Sequence, residues 1–110
     1  MSAAMHIGEL RTRLTLEAPS RAGDGGGGAS VTWSTVATVW ASVRPAAGGE
    51  SYALDRVAGK VSHEIVLRYR SGVTPEMRLR AGSRVFEIRA AFDPDQRRHW
   101  LKCLAEERDL

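Results

Sequence analysis

The chain contains few of the residues on which enzymes and secreted proteins commonly depend. It has one cysteine, three histidines and only 6% aromatic residues among its 110 positions. A single cysteine, Cys103, excludes an intrachain disulfide framework and favours a reducing compartment. No apolar run approaches the ~20 residues that cross a bilayer, and residues 1–6 lack the basic and apolar segments of a signal peptide. We therefore expect a soluble protein, made in the cytoplasm, without a membrane partner.

The polar residues show no spacing typical of catalysis or metal binding. The histidines, His6, His63 and His99, are not placed as metal ligands relative to one another or to Cys103. Cys103 alternates with apolar neighbours, which predicts a small core residue. The tripeptide Asp93–Asp95, with proline between two aspartates, is typical of a turn rather than of an acid–base pair. We expect no enzyme activity, no catalytic residue, no cofactor and no metal.

The charge balance is mildly basic. Sixteen basic and thirteen acidic residues give a net charge of +3, and fourteen of the basic residues are arginine. Arginine suits phosphate contacts, but a GC-rich genome raises arginine, alanine and glycine together and explains the composition equally well. One interpretation of the strand arginines is a solvated face with cross-strand partners such as Glu17, Glu64 and Glu87. The other is a set repeated around a ring, where the field on axial DNA multiplies with subunit number.

Alternation of apolar and polar residues predicts strands along most of the chain. Short strands with turn signals between them indicate an all-β fold, a small antiparallel β-barrel or sandwich with long loops, over a helical one. The length fits one domain over residues 1–110. The predicted strands are Leu10–Glu17, Val31–Val43, Val61–Tyr69, Met77–Arg80, Arg84–Phe92 and His99–Glu106.

The first two strands predict a long hairpin with a glycine-rich tip at residues 18–30. Pro19 and the glycines disfavour regular structure there, and a phosphate-binding loop is disfavoured because a strand, not a helix, follows. The second strand has apolar residues on both faces and is long enough to bend near Ser34 and Thr35. Its tryptophans, Trp33 and Trp40, fit either the core or an oligomer interface.

Residues 44–60 interrupt the strand pattern. The segment 50–58 has the composition of a short helix, which Gly59 ends. Such a long connection in a small β-domain is typical of a functional or disordered loop.

The order and spacing of several motifs resemble those of one family across nearly the whole chain. These motifs are residues 7–14 (IGELRTRL), Trp33, residues 36–43 (VATVWASV), the pair Gly49-Glu50, residues 63–68 (HEIVLR), residues 74–78 (TPEMR) and residues 86–88 (FEI). On these motifs the chain resembles the head–tail joining, or head-closure (stopper), proteins of long-tailed bacteriophages and of gene transfer agents.

The resemblance implies a structural virion protein located at the head–tail interface and assembled in the host bacterial cytoplasm. It implies a sixfold or twelvefold homo-oligomeric ring between the portal-bound adaptor and the tail terminator or tail tube, which closes the channel around packaged double-stranded DNA. By position, residues 44–60 match the family's plug loop. The residues expected in this channel loop are Gly48, Gly49, Glu50, Ser51, Tyr52, Asp55, Arg56 and Lys60. Candidates for contacts between subunits are Trp33, Trp40 and Tyr52.

Two alternatives stay open from the sequence. A tail terminator or another tail-side ring protein shares ring assembly, although no helical pattern longer than about ten residues supports its α/β architecture. A monomeric nucleic-acid-binding β-barrel needs exposed aromatic residues interleaved with basic ones, whereas Tyr69 and the tryptophans lie within apolar alternation.

Overall fold

The protein forms a closed barrel of six antiparallel strands. The structure, a computed structural model, describes residues 7–23, 29–46 and 61–109. One turn of 3-10 helix at Ile7–Glu9 precedes the strands, which follow one another around the barrel in the order β1, β2, β3, β6, β5, β4. Their bounds are β1 Thr12–Gly23, β2 Ala29–Pro45, β3 His63–Arg68, β4 Arg78–Ala81, β5 Arg84–Phe92 and β6 Trp100–Asp109.

The core lies inside the barrel and is built from alternate residues of every strand. Because side chains alternate across a strand, one face of each strand reaches the interior. Cys103 is fully buried there, so its prediction as a core residue is confirmed. The buried interior cluster consists of Leu14, Leu16, Ala41, Ile65, Leu67, Met77, Leu79, Phe86, Ile88, Leu101, Cys103 and Ala105. The all-β prediction is confirmed, and the described residues contain no helix that could cross a membrane.

The predicted hairpin is present, but the loop predicted over residues 18–30 is wrong at both ends. β1 continues to Gly23 and β2 begins at Ala29, and Pro19 is paired with Trp33. Beyond Glu17 the two strands pair only with each other among the described residues, which leaves each with one unpaired edge there. A proline whose nitrogen faces a free edge removes no ladder hydrogen bond. We call residues 18–23 with 29–37 the arm.

Two β-bulges change which side chains face the core. In the hairpin, Leu16 is opposite Ala37 and Glu17 is opposite Thr35, so Val36 is an extra residue in β2. This bulge lies beside the bend predicted near Ser34 and Thr35, although β2 remains one continuous strand.

The second bulge makes Arg89 an extra residue in β5 and reverses the alternation beyond it. The sequence predicted that Ala90 and Phe92 share a face with Phe86 and Ile88. Instead Ala91 packs against the interior cluster and Phe92 is exposed, so that part of the prediction is wrong.

The turn between β5 and β6 has the local bonding expected of an aspartate-rich turn. The Asp93 carboxylate accepts hydrogen bonds from the backbone N–H groups of Gln96 and Arg98, at 3.0 and 2.8 Å. Asp95 accepts one from the N–H of Arg97 at 3.0 Å, and this bond lowers the pKa of the Asp95 carboxyl. The two carboxylates therefore close a turn, as the sequence predicted.

Candidate docking surface

Exposed apolar residues are concentrated on β2. Four large apolar side chains are conspicuously exposed in the described part of the chain, and three of them, Val31, Val36 and Trp40, belong to this strand. Trp40 is 54% exposed, although tryptophan is normally well covered in a folded domain. Apolar residues on both faces of β2 predict burial of both, in the barrel or against a neighbouring subunit. Within this chain the inner face is covered, with Ala41 buried and Val39 and Val43 packed on the interior cluster.

Trp40 stands beside a groove where β2 and β3 separate. The two strands pair from Ala41 to Pro45 on β2, and β3 ends at Arg68. The gap between residues 38–40 and residues 67–70 holds an open volume of about 540 Å³. Its apolar lining comes from Leu10, Val39, Trp40 and Leu67, with Tyr69 and two arginines beside them. We call this feature the fork groove.

The arginines around the fork groove have no carboxylate partner among the described residues. Arg68 and Arg70 line the groove, and Arg13, which pairs in register with Trp40, holds its guanidinium 6.0 Å from that ring. The Nε of Arg70 is buried, and no atom of the described chain accepts a hydrogen bond from it. A buried donor without an acceptor is costly.

The arginines of β5 and β6 are paired with glutamates, as the solvated-face interpretation of the arginines predicted. Arg84 donates two hydrogen bonds to Glu107, at 2.7 and 3.2 Å, and this contact raises the pKa of the guanidinium and lowers that of the carboxyl. His63, half-buried, contacts Glu107 and Ser62 and meets Phe86 edge to face. Further ion pairs are Arg89 with Glu87 and Glu106, Arg108 with Glu87, and Lys102 and Arg44 with Glu64.

Trp33 is positioned at the base of the arm by a charged cluster. The Arg78 guanidinium lies 4.0 Å from the centre of the Trp33 ring, and its Nε donates a 2.6 Å hydrogen bond to Glu17. Glu17 is buried, and Arg80 approaches it at 3.8 Å. A cation over an aromatic face, held by a carboxylate, fixes both ring and guanidinium. The cluster therefore fixes the arm where it leaves the barrel.

Two of the predicted site residues lie on the same strand, and the others lie outside the described residues. Trp33 and Trp40 both lie on β2, one at the arm base and one at the fork groove. The channel candidates Gly48, Gly49, Glu50, Ser51, Tyr52, Asp55, Arg56 and Lys60 lie outside the described residues, as does the helix predicted at 50–58. Their assignment stays a prediction. In the described residues no cluster of histidine, cysteine and carboxylates could hold a metal.

Sequence reasoning missed the fork groove and the Glu17 cluster. The groove forms because β2 continues past the end of β3, and this depends on the relative lengths of strands that are distant in sequence. The available signal was Trp40 itself, which alternates with the inward residues Val39 and Ala41 and so had to face outward.

Comparison with known proteins gives a consistent assignment. A family described as phage head completion proteins matches residues 5–108. A chain in the virion of a native gene transfer agent particle is 31% identical, with a TM-score of 0.68, over 92% of this chain and 96% of that one. The solution structure of protein SF1141 from Shigella flexneri 2a is 29% identical, with a TM-score of 0.74, over 94% and 96%. No curated protein matches the chain.

Proposed function

Because the chain belongs to the phage head completion protein family, we propose that it forms a ring between the portal adaptor and the tail, closes the DNA channel and docks the tail. A structural role on the head side of the virion follows from the family. The family description supports this role over that of a tail terminator. The relative in a gene transfer agent virion supports a virion protein over a monomeric nucleic-acid-binding barrel. The ring, the channel closure and the tail docking are the proposal.

The observation that carries the proposal is the exposed apolar side of β2. Val31 and Val36 lie on the arm, and Trp40 lies at the fork groove on the same strand. Exposed apolar groups concentrated on one strand are typical of a protein–protein interface. A projecting element that contacts a different surface of the next copy generates a closed ring when the rotation closes.

Removal of the gene from a host that produces the particles tests this proposal. We expect heads that package DNA, lose it on purification and carry no tails, because the channel stays open and the docking surface is missing. A plasmid-borne copy should restore tailed particles. Tailed, DNA-retaining particles made without the gene would contradict the proposal.

We also propose, from the sequence, that residues 48–60 help to hold packaged DNA in the channel. Their mixed charges, Glu50, Asp55, Arg56 and Lys60, suit transient contact with phosphate better than permanent binding. Deletion of residues 51–58 should then give filled heads that leak DNA before tails attach. Particles that keep their DNA and accept tails normally would exclude the plug role.

A further inference from the structure

We propose that the fork groove binds an extended segment of a neighbouring virion protein, in which carboxylates flank an apolar side chain. The proposal rests on the proposed function only in naming the neighbour as a virion protein. Three properties of the groove support it, namely its backbone edge, its charge and its apolar floor.

The first property is the unpaired backbone edge of β2. β3 pairs with β2 only from Ala41 to Pro45, and no strand of the described chain continues this pairing beside residues 38–40. Backbone N–H and C=O groups on such an edge are a template for an added strand. The fork groove occupies the space into which that strand would extend. An extended segment therefore gains main-chain hydrogen bonds there, as in other strand-addition complexes.

The second property is uncompensated positive charge. Arg68 and Arg70 line the groove, and Arg13 lies beside Trp40. None of the three has a carboxylate partner in residues 7–23, 29–46 and 61–109, whereas the arginines of β5 are ion-paired. The buried Nε of Arg70 lacks an acceptor within the same residues. A carboxylate is the acceptor that best matches a guanidinium, because the hydrogen bond is charge-assisted and both groups are planar.

The third property is the apolar floor, which selects a protein segment over DNA. Leu10, Val39 and Leu67 line the groove beside Trp40, and they offer duplex DNA neither charge nor hydrogen bonds. The open volume of about 540 Å³ is in the range of clefts that enclose small ligands, and a duplex is far too wide to enter it. An apolar side chain fits the floor while neighbouring carboxylates reach the arginines.

Peptide titration of the purified protein, followed by backbone amide NMR, tests the assignment. The probe is an end-blocked hexapeptide in which glutamate alternates with valine, and matched peptides carry glutamine or lysine instead of glutamate. We expect the glutamate peptide to shift the signals of Thr38, Val39 and Trp40 and to bind about tenfold more tightly than the glutamine peptide. Arg68→Glu should weaken the glutamate peptide about tenfold and favour the lysine peptide. Arg97→Glu, an exposed control on the β5–β6 turn, should change neither affinity.

Several results would overturn the assignment. They are equal affinity for the glutamate and glutamine peptides, shifts confined to other residues, or a DNA duplex that shifts the groove signals at lower concentration than the peptide. Concentration-dependent shifts of the groove signals without peptide would show that a second copy occupies it, which also overturns the proposal. If the peptide does not bind but removal of the gene still gives heads without tails, only the groove assignment is wrong. If the peptide binds but tailed, DNA-retaining particles form without the gene, only the proposed function is wrong.

Discussion

At the scale of single residues, the pair between Glu17 and Arg78 is the polar contact most shielded from solvent. The two side chains are only 9% and 13% exposed. We expect Glu17→Ala to lower the free energy of unfolding by about 3 kcal/mol, because Arg78 then keeps a nearly buried charge without its partner. Chemical denaturation measures the change. The exposed Glu76→Ala is the matched control, and a loss no larger than that of the control would show that the pair contributes little.

Cys103 gives a prediction about the pH dependence of stability. Burial raises the pKa of its thiol from the ordinary value of 9.0 to about 12. Between these values the unfolded chain loses the thiol proton and the folded chain retains it, so stability falls as pH rises. The slope from this group is at most about 1.4 kcal/mol per pH unit. Denaturation of the protein and of Cys103→Ala from pH 8 to 11 should show the extra slope only in the protein that keeps the thiol. Parallel slopes would contradict the assignment.

Substitution of Trp40 should affect assembly more than it affects the stability of the fold. Because the ring is 54% exposed, Trp40→Ala should cost no more than about 1 kcal/mol of unfolding free energy. If Trp40 lies at a contact between subunits of the ring, the same change should strongly reduce assembly, since buried tryptophans dominate interface energies. Sedimentation velocity and denaturation on the same samples measure both effects. Phe92→Ala, exposed at 40% on β5, is the control, and unchanged assembly in Trp40→Ala would exclude Trp40 from the contact.

Sequence patterns correctly predicted the environment of residues for which the neighbouring positions in the sequence determine that environment. The predictions of a buried Cys103 and of a turn at Asp93 were correct, because neighbouring residues in the sequence determine both features. The glutamates named as partners of the strand arginines, Glu17, Glu64 and Glu87, are indeed paired with basic side chains. The sequence left Trp40 between the core and an oligomer interface, and its 54% exposure excludes the core.

At the scale of secondary-structure elements, the composition of the arm led to the incorrect prediction of a loop over residues 18–30. Proline and glycine normally end strands, but a two-stranded ribbon tolerates them at its free edges. The bulges at Val36 and Arg89 were not predicted either, because a strict alternation of inward and outward side chains assumes that a strand contains no inserted residue. The strand bounds within the barrel were predicted more closely, and β5 matches Arg84–Phe92 at both ends.

Shortening the arm tests whether it serves assembly rather than folding. Residues 20–32 are replaced by Asn-Gly, which joins the paired Pro19 and Trp33 through a two-residue turn. We expect unfolding free energy to change by no more than about 1 kcal/mol, because residues 20–23 and 29–32 pair only with each other among the described residues. Rings should be lost, and sedimentation velocity measures this. Removal of residues 25–28 alone is the control and should preserve folding. Rings formed by the shortened protein would exclude the arm from the contact.

At the scale of the whole molecule, the closed barrel leaves β2 as the side available to partners. Four strands, β3 to β6, pair on both sides within the barrel, whereas β2 continues beyond its neighbours as the arm and the edge of the fork groove. The opposite side carries paired charges, typical of a solvated surface. The fold class and the family were accessible from the sequence. The docking surface was not, because it arises from barrel closure and unequal strand lengths.

A cryo-electron microscopy map of purified particles at the junction of head and tail is the most direct test of the central claim. The account predicts a ring of copies of this six-stranded barrel between the portal-bound adaptor and the tail, with the β2 side of each copy in contact with a neighbouring subunit. A map that resolves every protein of the junction and contains no copy of the barrel, or that shows the β2 side facing solvent, would contradict it.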